Sequence, residues 1–166
     1  MIAKKQPLVF LVDDDKNYLD TLEHNLRLDF QGVKLEKYQN ADDCLSNLHR
    51  GPDVVILDYY LTPNKKSRNG IDVLKIIKDE KPGAEVVMLS GHEKLDIAVS
   101  CIRNGAYDYI IKNETAFVRA GNLVKNLLNA SIMKRESQQH ERLNWVVGGI
   151  MLLMVFYGIY FHLRYD

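Results

Sequence analysis

Residues 8–22 read LVFLVDDDKNYLDTL, which joins a short apolar run, three aspartates and leucines at helical spacing. An apolar run bounded by polar residues predicts a buried strand, and Leu19, Leu22 and Leu26 fall on one face of the helix expected after it. The same alternation recurs downstream, with apolar runs at residues 54–57, 86–89 and 107–111. Repeated strand–helix units of this kind indicate an α/β fold with a parallel sheet.

Local signals supply the remaining boundaries. Residues 33–38 (VKLEKY) alternate apolar and polar side chains, as in an edge strand with one solvated face, and they complete a set of five predicted strands. Asn40 is the predicted N-cap of a second helix that runs through Leu48 and stops at Gly51-Pro52. A fifth helix is predicted to begin near Thr115, which gives a (βα)5 arrangement.

The composition of the 166 residues fits one domain with a short appendage. With 46% hydrophobic residues the chain can bury a core, which excludes wholesale disorder, and its two cysteines lack zinc-type spacing and favour a reducing cytosol. Residues 1–114 carry 16 basic and 19 acidic side chains, whereas residues 115–166 carry 6 basic and 3 acidic ones. The sequence has no basic stripe or nucleic-acid motif, so nucleic acid is not an expected partner.

The sequence changes in character after residue 130. Residues 131–144 are polar and basic and predict a helical linker, whereas residues 143–163 contain no Asp, Glu, Lys or Arg. As a helix, residues 145–163 would extend about 28 Å, close to the roughly 30 Å hydrocarbon core of a bilayer, and therefore predict a transmembrane helix. More basic residues precede this span than follow it, which predicts that residues 1–130 face the cytoplasm. An amphipathic or oligomerising helix is the alternative.

Polar side chains stand at the predicted carboxyl ends of four strands, the edge at which parallel α/β sheets bind ligands. They are Asp13, Asp14, Asp15, Asp58, Ser90 and Lys112. Clustered carboxylates repel one another unless a cation neutralises them, and Mg²⁺ prefers carboxylate and phosphate oxygens. Such a cluster beside a hydroxyl and a lysine predicts phosphoryl transfer, in which an aspartate can itself attack phosphorus. The alternative is that each residue caps a helix or starts a loop.

Four segments, FLVDDDKNYLDTL, VVILDYYLTP, VVMLSGH and AYDYIIKN, resemble the receiver domain of bacterial two-component response regulators over residues 7 to about 130. The resemblance implies a flavodoxin-like doubly wound sheet with strand order 2-1-3-4-5. It also implies a phosphoacceptor that is not an enzyme and that a sensor histidine kinase or histidine phosphotransfer protein phosphorylates. With the predicted span, the expected location is the bacterial cytoplasmic membrane; whether phosphorylation drives homodimer formation is left open.

The resemblance assigns the phosphoacceptor and the metal ligands. Asp58 closes the third strand and corresponds to the aspartate that receives the phosphoryl group. Asp13 and Asp14 resemble the acidic pair that holds Mg²⁺ together with Asp58, and the carbonyl of Tyr60 would supply a further oxygen. Asp15 is interpreted as the cap of the first helix.

The resemblance also assigns the residues that respond to the phosphoryl group. Lys112 matches the lysine that pairs with it, and Ser90 matches the hydroxyl residue that moves to bind it. Tyr109 lies at the position of a switch aromatic, whose movement reshapes the face built from the fourth helix, fifth strand and fifth helix. Tyr60 and His92 occupy positions that influence how readily water reaches the phosphoryl group.

Two departures and two alternatives qualify this assignment. The loop at residues 59–69 is about four residues longer than the common pattern and adds Lys65, Lys66 and Arg68, and Asn113 stands where a proline commonly follows the lysine. A degenerate receiver would be an unphosphorylated scaffold, but the complete set of site residues argues against it. A haloacid-dehalogenase-type phosphatase could use Asp13 and Asp15, but it needs a later acidic motif. The acidic residues after Lys112 are Glu114, Glu136, Glu141 and Asp166.

Overall fold

The computed structural model describes residues 6–61 and 69–165, without the side chains of residues 136, 138–144, 146, 155–156, 158–159, 161–163 and 165. Strands and helices alternate along the chain, as the sequence predicts. The strands are β1 (Leu8–Val12), β2 (Lys34–Tyr38), β3 (Val54–Asp58), β4 (Glu85–Ser90) and β5 (Asp108–Ile111). The helices are α1 (Lys16–Asp29), α2 (Ala41–Ser46), α3 (Gly70–Glu80), α4 (Leu95–Arg103) and α5 (Ala116–Tyr165).

The five strands form one parallel sheet in the order β2-β1-β3-β4-β5, which confirms the predicted order. Val12 pairs with Leu57 across β1 and β3. Asp13 and Asp58 each follow one residue later, so they leave the sheet side by side. Ser90 pairs with Ile111 across β4 and β5, which brings Lys112 to the same edge. The register alone therefore collects the polar strand ends at one edge of the sheet.

Helices cover both faces of the sheet, and each face has its own apolar cluster. Phe10 and Val12 face α2, α3 and α4, whereas Val9 and Leu11 face α1 and α5. β1 and β3 are buried along their whole length, as expected for central strands of a parallel sheet. Each fully buried aliphatic side chain contributes roughly 1.5–3 kcal/mol, so the strand ends are anchored by a dense apolar framework.

Local capping fixes where the helices start. The Asp15 side chain accepts hydrogen bonds from the backbone N–H groups of Asn17 and Tyr18, and Asn40 caps α2 in the same way, so both predicted caps are confirmed. The second helix is shorter than predicted. It ends at Ser46, because the backbone N–H of Asn47 turns back to the carbonyls of Cys44 and Leu45, and a separate 3-10 turn covers Leu48–Arg50.

The chain divides into two compact units, Met1–Leu128 and Asn129–Asp166. Within the described residues, no helix combines the length and the hydropathy of a membrane span. The transmembrane helix predicted at residues 145–163 is thus not found among the described residues, and several of its side chains lie outside them.

Candidate functional site

Two buried aspartates form the floor of the site at the carboxyl ends of β1 and β3. The side chains of Asp13 and Asp58 are almost fully buried, at 1% and 3% exposure. Asp13 Oδ1 accepts a hydrogen bond from the backbone N–H of Asp15 at 3.0 Å. Asp14 is exposed, and one carboxylate oxygen from each of Asp13, Asp14 and Asp58 lies within 4.8 Å of the other two. The first strand thus contributes one buried and one exposed carboxylate to the site.

Lys112 brings the counter-charge from the end of β5. Its Nζ lies 2.6 Å from Asp13 Oδ2 and 3.1 Å from Asp58 Oδ1. Its backbone N–H donates to the carbonyl of Ser90 at 2.7 Å, which fixes the start of the side chain at the sheet edge. One ammonium therefore contacts two of the three carboxylates, and the cluster of Asp13, Asp14, Asp58 and Lys112 carries a formal charge of −2 when all are ionised.

Burial and charge perturb the pKa of Asp13, Asp58 and Lys112. Burial raises the pKa of Asp58, and the neighbouring Asp13 adds to the rise, while Lys112 opposes it. Burial likewise raises the pKa of Asp13 against the effect of Lys112. For Lys112, burial disfavours the ammonium, but the hydrogen bond to Asp13 and the charge of Asp58 prevail and raise its pKa. The site thus holds more negative charge than one lysine can neutralise.

The donor set fits a magnesium ion. All side-chain donors are carboxylate oxygens, which Mg²⁺ prefers, and Asp58 Oδ1 is buried without a hydrogen bond of acceptable geometry among the described residues. A bound divalent cation would offset the −2 charge and satisfy that oxygen. Asp13, Asp14 and Asp58 are the side chains that would hold it. The backbone N–H of Tyr60 contributes a hydrogen bond that favours the charged form of Asp58, while the ligand role of the Tyr60 carbonyl remains a prediction.

Ser90 and Tyr109 meet at the backbone of His92. Ser90 is fully buried, and its Oγ accepts from the His92 N–H at 3.2 Å. The Tyr109 hydroxyl donates to the His92 carbonyl at 2.8 Å, and its ring is buried at 8% exposure. The Tyr109 hydroxyl and the Ser90 hydroxyl are thus both bound to the turn at His92, and their roles in switching stay predictions.

Aromatic side chains line the mouth of the site. The rings of Tyr60 and His92 make an edge-on contact with their centroids 5.0 Å apart. The rings of Tyr60 and Tyr59 make a similar contact with their centroids 4.7 Å apart. Tyr60 is 42% exposed, so this pair borders both the site and solvent. The extended loop is described only at its two ends. Lys65, Lys66 and Arg68, which the sequence placed near the site, lie outside the described residues.

Two residues that the sequence analysis did not single out contribute to the site. Gly70, the first residue of α3, lies so close to the end of β3 that a Cβ there would be 2.5 Å from the Asp58 carbonyl oxygen. Its backbone N–H donates to the Tyr59 carbonyl at 3.0 Å. Tyr18, in the first turn of α1, places its ring 4.5 Å from Lys112 Nζ. An aromatic residue one turn after an aspartate cluster is the signal that could have indicated Tyr18.

Asp15 faces its own helix and not the carboxylate cluster. Its Oδ1 accepts from the N–H groups of Asn17 at 2.8 Å and Tyr18 at 3.2 Å, and the side chain is exposed. The cluster that could hold a metal ion contains Asp14 instead. This arrangement disfavours a phosphatase that pairs Asp13 with Asp15.

Comparison with known proteins agrees with this geometry. Residues 9–119 match the family model described as the response regulator receiver domain. The nitrogen assimilation regulatory protein NtrX of Azorhizobium caulinodans is 35% identical over 103 residues, which are 61% of this chain and 22% of that protein. The crystal structure of NtrX from Brucella abortus superposes with a TM-score of 0.68 at 32% identity, over 81% of this chain and 30% of that one.

A second solved structure supports the fold alone. The receiver domain titled BeF3-activated DrrB has a TM-score of 0.66 at 24% identity and covers 75% of this chain and 99% of its own. The chain spans about a quarter of the length of the curated relatives that it matches. The matched family model covers more than half of the chain and includes both strand ends that carry the buried aspartates. The chain therefore belongs to the response regulator receiver domain family.

Proposed function

We propose that this chain is a phosphoacceptor of two-component signal transduction, in which Asp58 receives a phosphoryl group in an Mg²⁺-dependent reaction. The observation that carries the proposal is the buried Asp58 carboxylate, 3.1 Å from Lys112 Nζ and within 4.8 Å of the Asp13 and Asp14 carboxylates. Family membership adds the donor class, a sensor histidine kinase or histidine phosphotransfer protein. The chain acts by accepting the group and is not itself an enzyme.

In the transfer, an Asp58 oxygen attacks the phosphorus of a phosphohistidine. The new P–O bond forms as the P–N bond breaks, the electron pair leaves with the imidazole nitrogen, and that nitrogen takes up a proton. Mg²⁺, when bound, neutralises charge on the phosphoryl oxygens and on the carboxylates. Lys112 is held between Asp13 and Asp58 and is placed to pair with a phosphoryl oxygen. Burial of Asp58 limits competing attack by water.

The phosphoryl group would act on the rest of the domain through Ser90 and Tyr109. It adds about two negative charges and three acceptor oxygens beside the Ser90 hydroxyl. If Ser90 Oγ turned toward the phosphoryl oxygens, it would release the N–H of His92. The carbonyl of the same residue accepts the hydrogen bond from the Tyr109 hydroxyl, so the change would reach Tyr109. The neighbouring face of α4 is suited to a protein partner, since Leu95, Val99 and Ile102 are exposed there, Leu95 at 81%. Tyr60 and His92, at the mouth, would set the lifetime of the phosphoryl group.

The decisive experiment is intact-mass measurement of the full chain after incubation with acetyl phosphate and Mg²⁺. The proposal expects one phosphoryl group on the wild-type protein and none on Asp58→Asn or in excess chelator. Asp53→Asn is a matched control, because Asp53 is also a buried aspartate but accepts from the Leu8 N–H at the opposite end of the sheet. Absence of an adduct from folded wild-type protein would favour the scaffold interpretation.

We also propose that residues 145–163 attach the chain to the bacterial cytoplasmic membrane, with the receiver domain on the cytoplasmic side. Support comes from the absence of Asp, Glu, Lys and Arg between residues 143 and 163 and from the exposure of apolar side chains such as Trp145 (83%) and Leu152 (73%). Attachment would raise the local concentration of the chain for a membrane-bound kinase.

Membrane attachment is tested by alkaline carbonate washing of membranes from cells that express the full chain. The wild-type protein should remain with the membranes. Leu152→Lys should move it to the wash, since a lysine at a span centre costs roughly 2.5–3.5 kcal/mol. Leu28→Lys changes an equally exposed leucine (70%) on α1 and should have no effect. Wild-type protein found in the wash would refute the tether.

A further inference from the structure

Tyr18 lies against the site without any assigned role. Its ring lies 4.5 Å from Lys112 Nζ and contacts the Phe117 ring on α5 at 5.0 Å. A lysine ammonium over an aromatic face is attracted by the ring quadrupole, most strongly where water is scarce. Only 18% of the Lys112 side chain is exposed. The ring therefore forms one wall of the compartment in which the ammonium faces Asp13 and Asp58.

The hydroxyl of Tyr18 is the second observation. Tyr18 Oη is buried and has no hydrogen-bond partner within the part of the chain that the structure describes. Burial raises the pKa of this phenol, and the charges of Asp13 and Asp58 raise it further, so the group remains a neutral donor close to both carboxylates. A buried donor without an acceptor is costly, and phenylalanine would pack against Phe117 equally well without that cost. Packing alone therefore does not account for the hydroxyl.

We propose that Tyr18 is a positioning residue of the phosphorylation site, whose ring holds the Lys112 ammonium at the carboxylates and whose hydroxyl donates to an oxygen of the phosphoryl group. The inference rests on the proposed phosphorylation of Asp58. Three groups would then converge on the incoming oxygens from separate elements: the ammonium from β5, the Ser90 hydroxyl from β4 and the phenol from α1. The phenol also keeps water from the side of the site that α1 and α5 cover.

Two variants separate the ring from the hydroxyl. Tyr18→Phe keeps the ring and removes the donor, whereas Tyr18→Leu removes both. Phe117→Leu is the matched control, since it removes the other ring of the same aromatic pair and leaves the contact with Lys112. Far-UV circular dichroism and the urea midpoint of each variant establish that it is folded.

The first measurement is the NMR chemical shift of the Lys112 ε-methylene protons in the unphosphorylated full chain, which reports whether the ammonium lies over the Tyr18 ring. Protons above a ring face shift upfield, so the shift should persist in Tyr18→Phe and Phe117→Leu and disappear in Tyr18→Leu. The second readout is the rate of Asp58 phosphorylation by acetyl phosphate with Mg²⁺. It should fall about fivefold to tenfold in Tyr18→Leu and by less in Tyr18→Phe, which keeps the ring over Lys112 and loses only the hydroxyl.

The hydroxyl is tested by the affinity of the Mg²⁺-loaded protein for fluoroberyllate, a phosphoryl analogue, followed by ¹⁹F NMR. Tyr18→Phe should weaken this affinity by about threefold to tenfold, the value of one neutral hydrogen bond. An unchanged affinity overturns the role of the hydroxyl. A Lys112 shift that survives in Tyr18→Leu, or an equal loss of rate in Phe117→Leu, overturns the role of the ring. Failure of the wild-type protein to form an adduct would instead count against the proposed function, because the Lys112 shift is measured without phosphorylation.

Discussion

Replacing the proposed phosphoacceptor should stabilise the metal-free protein. In Asp58→Asn the side chain keeps its shape and loses its charge, in a position where the charge is buried and lies within 4.8 Å of the Asp13 carboxylate. With an effective dielectric constant of about 20, repulsion between the Asp58 and Asp13 carboxylates destabilises the wild-type protein by at least about 3.5 kcal/mol. Attraction between Asp58 and Lys112 at 3.1 Å stabilises it by about 5 kcal/mol. Burial of the carboxylate costs several kcal/mol more. The balance predicts a gain of about 2 kcal/mol in the free energy of unfolding.

The pH dependence of this gain follows from the raised pKa of Asp58. Below about pH 4, the ordinary value for aspartate, the side chain is protonated in both folded and unfolded wild-type protein, and the two proteins should be equally stable. Between that value and the raised folded pKa, the unfolded wild-type protein is ionised at Asp58 while the folded protein keeps its proton, so the wild-type protein loses stability as the pH rises. The advantage of Asp58→Asn therefore opens above pH 4 and is complete once folded Asp58 is ionised.

Mg²⁺ should reverse the order of stability. A ligand at one hundred times its dissociation constant stabilises the folded state by about 2.7 kcal/mol, which exceeds the predicted gain, and Asp58→Asn lacks one carboxylate ligand. The assay is urea unfolding followed by circular dichroism, with chelator or with saturating Mg²⁺. Asp14→Asn is the control, because Asp14 is exposed and its loss should stabilise the metal-free protein less than Asp58→Asn does. Equal stability of Asp58→Asn and wild type in chelator at pH 7, or a gain that saturating Mg²⁺ leaves intact, would refute the electrostatic argument.

Three further predictions concern the framework around the site. Gly70→Ala should lower the free energy of unfolding by at least about 2 kcal/mol, because its Cβ would lie 2.5 and 2.7 Å from backbone atoms. Gly83→Ala is the control and should be tolerated, because its Cβ would have no atom within 4 Å. The urea unfolding midpoints of the two variants test this difference. The Cys44 thiol, whose pKa burial raises to about 12, should resist Ellman's reagent at pH 8 until the protein unfolds. Burial favours the neutral form of Glu23, but hydrogen bonds from Lys37 and Arg27 outweigh it and lower the pKa of Glu23. Lys37→Met should therefore lower the free energy of unfolding by less than about 1 kcal/mol at pH 7. This loss should vanish as the pH falls through the lowered pKa of Glu23.

The strand order was predicted from the resemblance to receiver domains, whereas the grouping of the polar site residues has a definite physical reason. Parallel strands end at one edge, so polar residues after apolar runs are collected there whatever the details of packing. Asp13, Asp58 and Lys112 were therefore predictable as neighbours although Lys112 is 99 residues from Asp13. The caps at Asp15 and Asn40 were predictable because capping depends on the local chain alone.

What the sequence did not reveal depends on contacts between elements. Gly70 resembles any glycine after a polar loop until α3 is seen to touch the end of β3. Tyr18 resembles a surface residue in the first turn of a helix, and its relation to Lys112 exists only once α1 and β5 are packed on the same sheet. The span at 145–163 was predicted from its length, its lack of charged residues and the basic residues before it, and no helix of that length and hydropathy is found among the described residues.

The arrangement of charge ties the stability of the fold to its function. Asp13 and Asp58 are placed by the best-buried strands, so they cannot move apart to relieve their repulsion, and one lysine leaves a formal charge of −2 on the cluster. Electrostatic repulsion in such a site destabilises the folded protein most when no cation is bound. Each cation or hydrogen-bond donor that binds there reduces the repulsion between the carboxylates. Two oxygens lie at this same place: Tyr18 Oη, which is buried without a hydrogen-bond partner among the described residues, and Asp58 Oδ1, whose contact there is the ion pair with Lys112 at 3.1 Å. Under the proposed function, these two oxygens therefore mark the position at which the metal ion and the phosphoryl oxygens would bind.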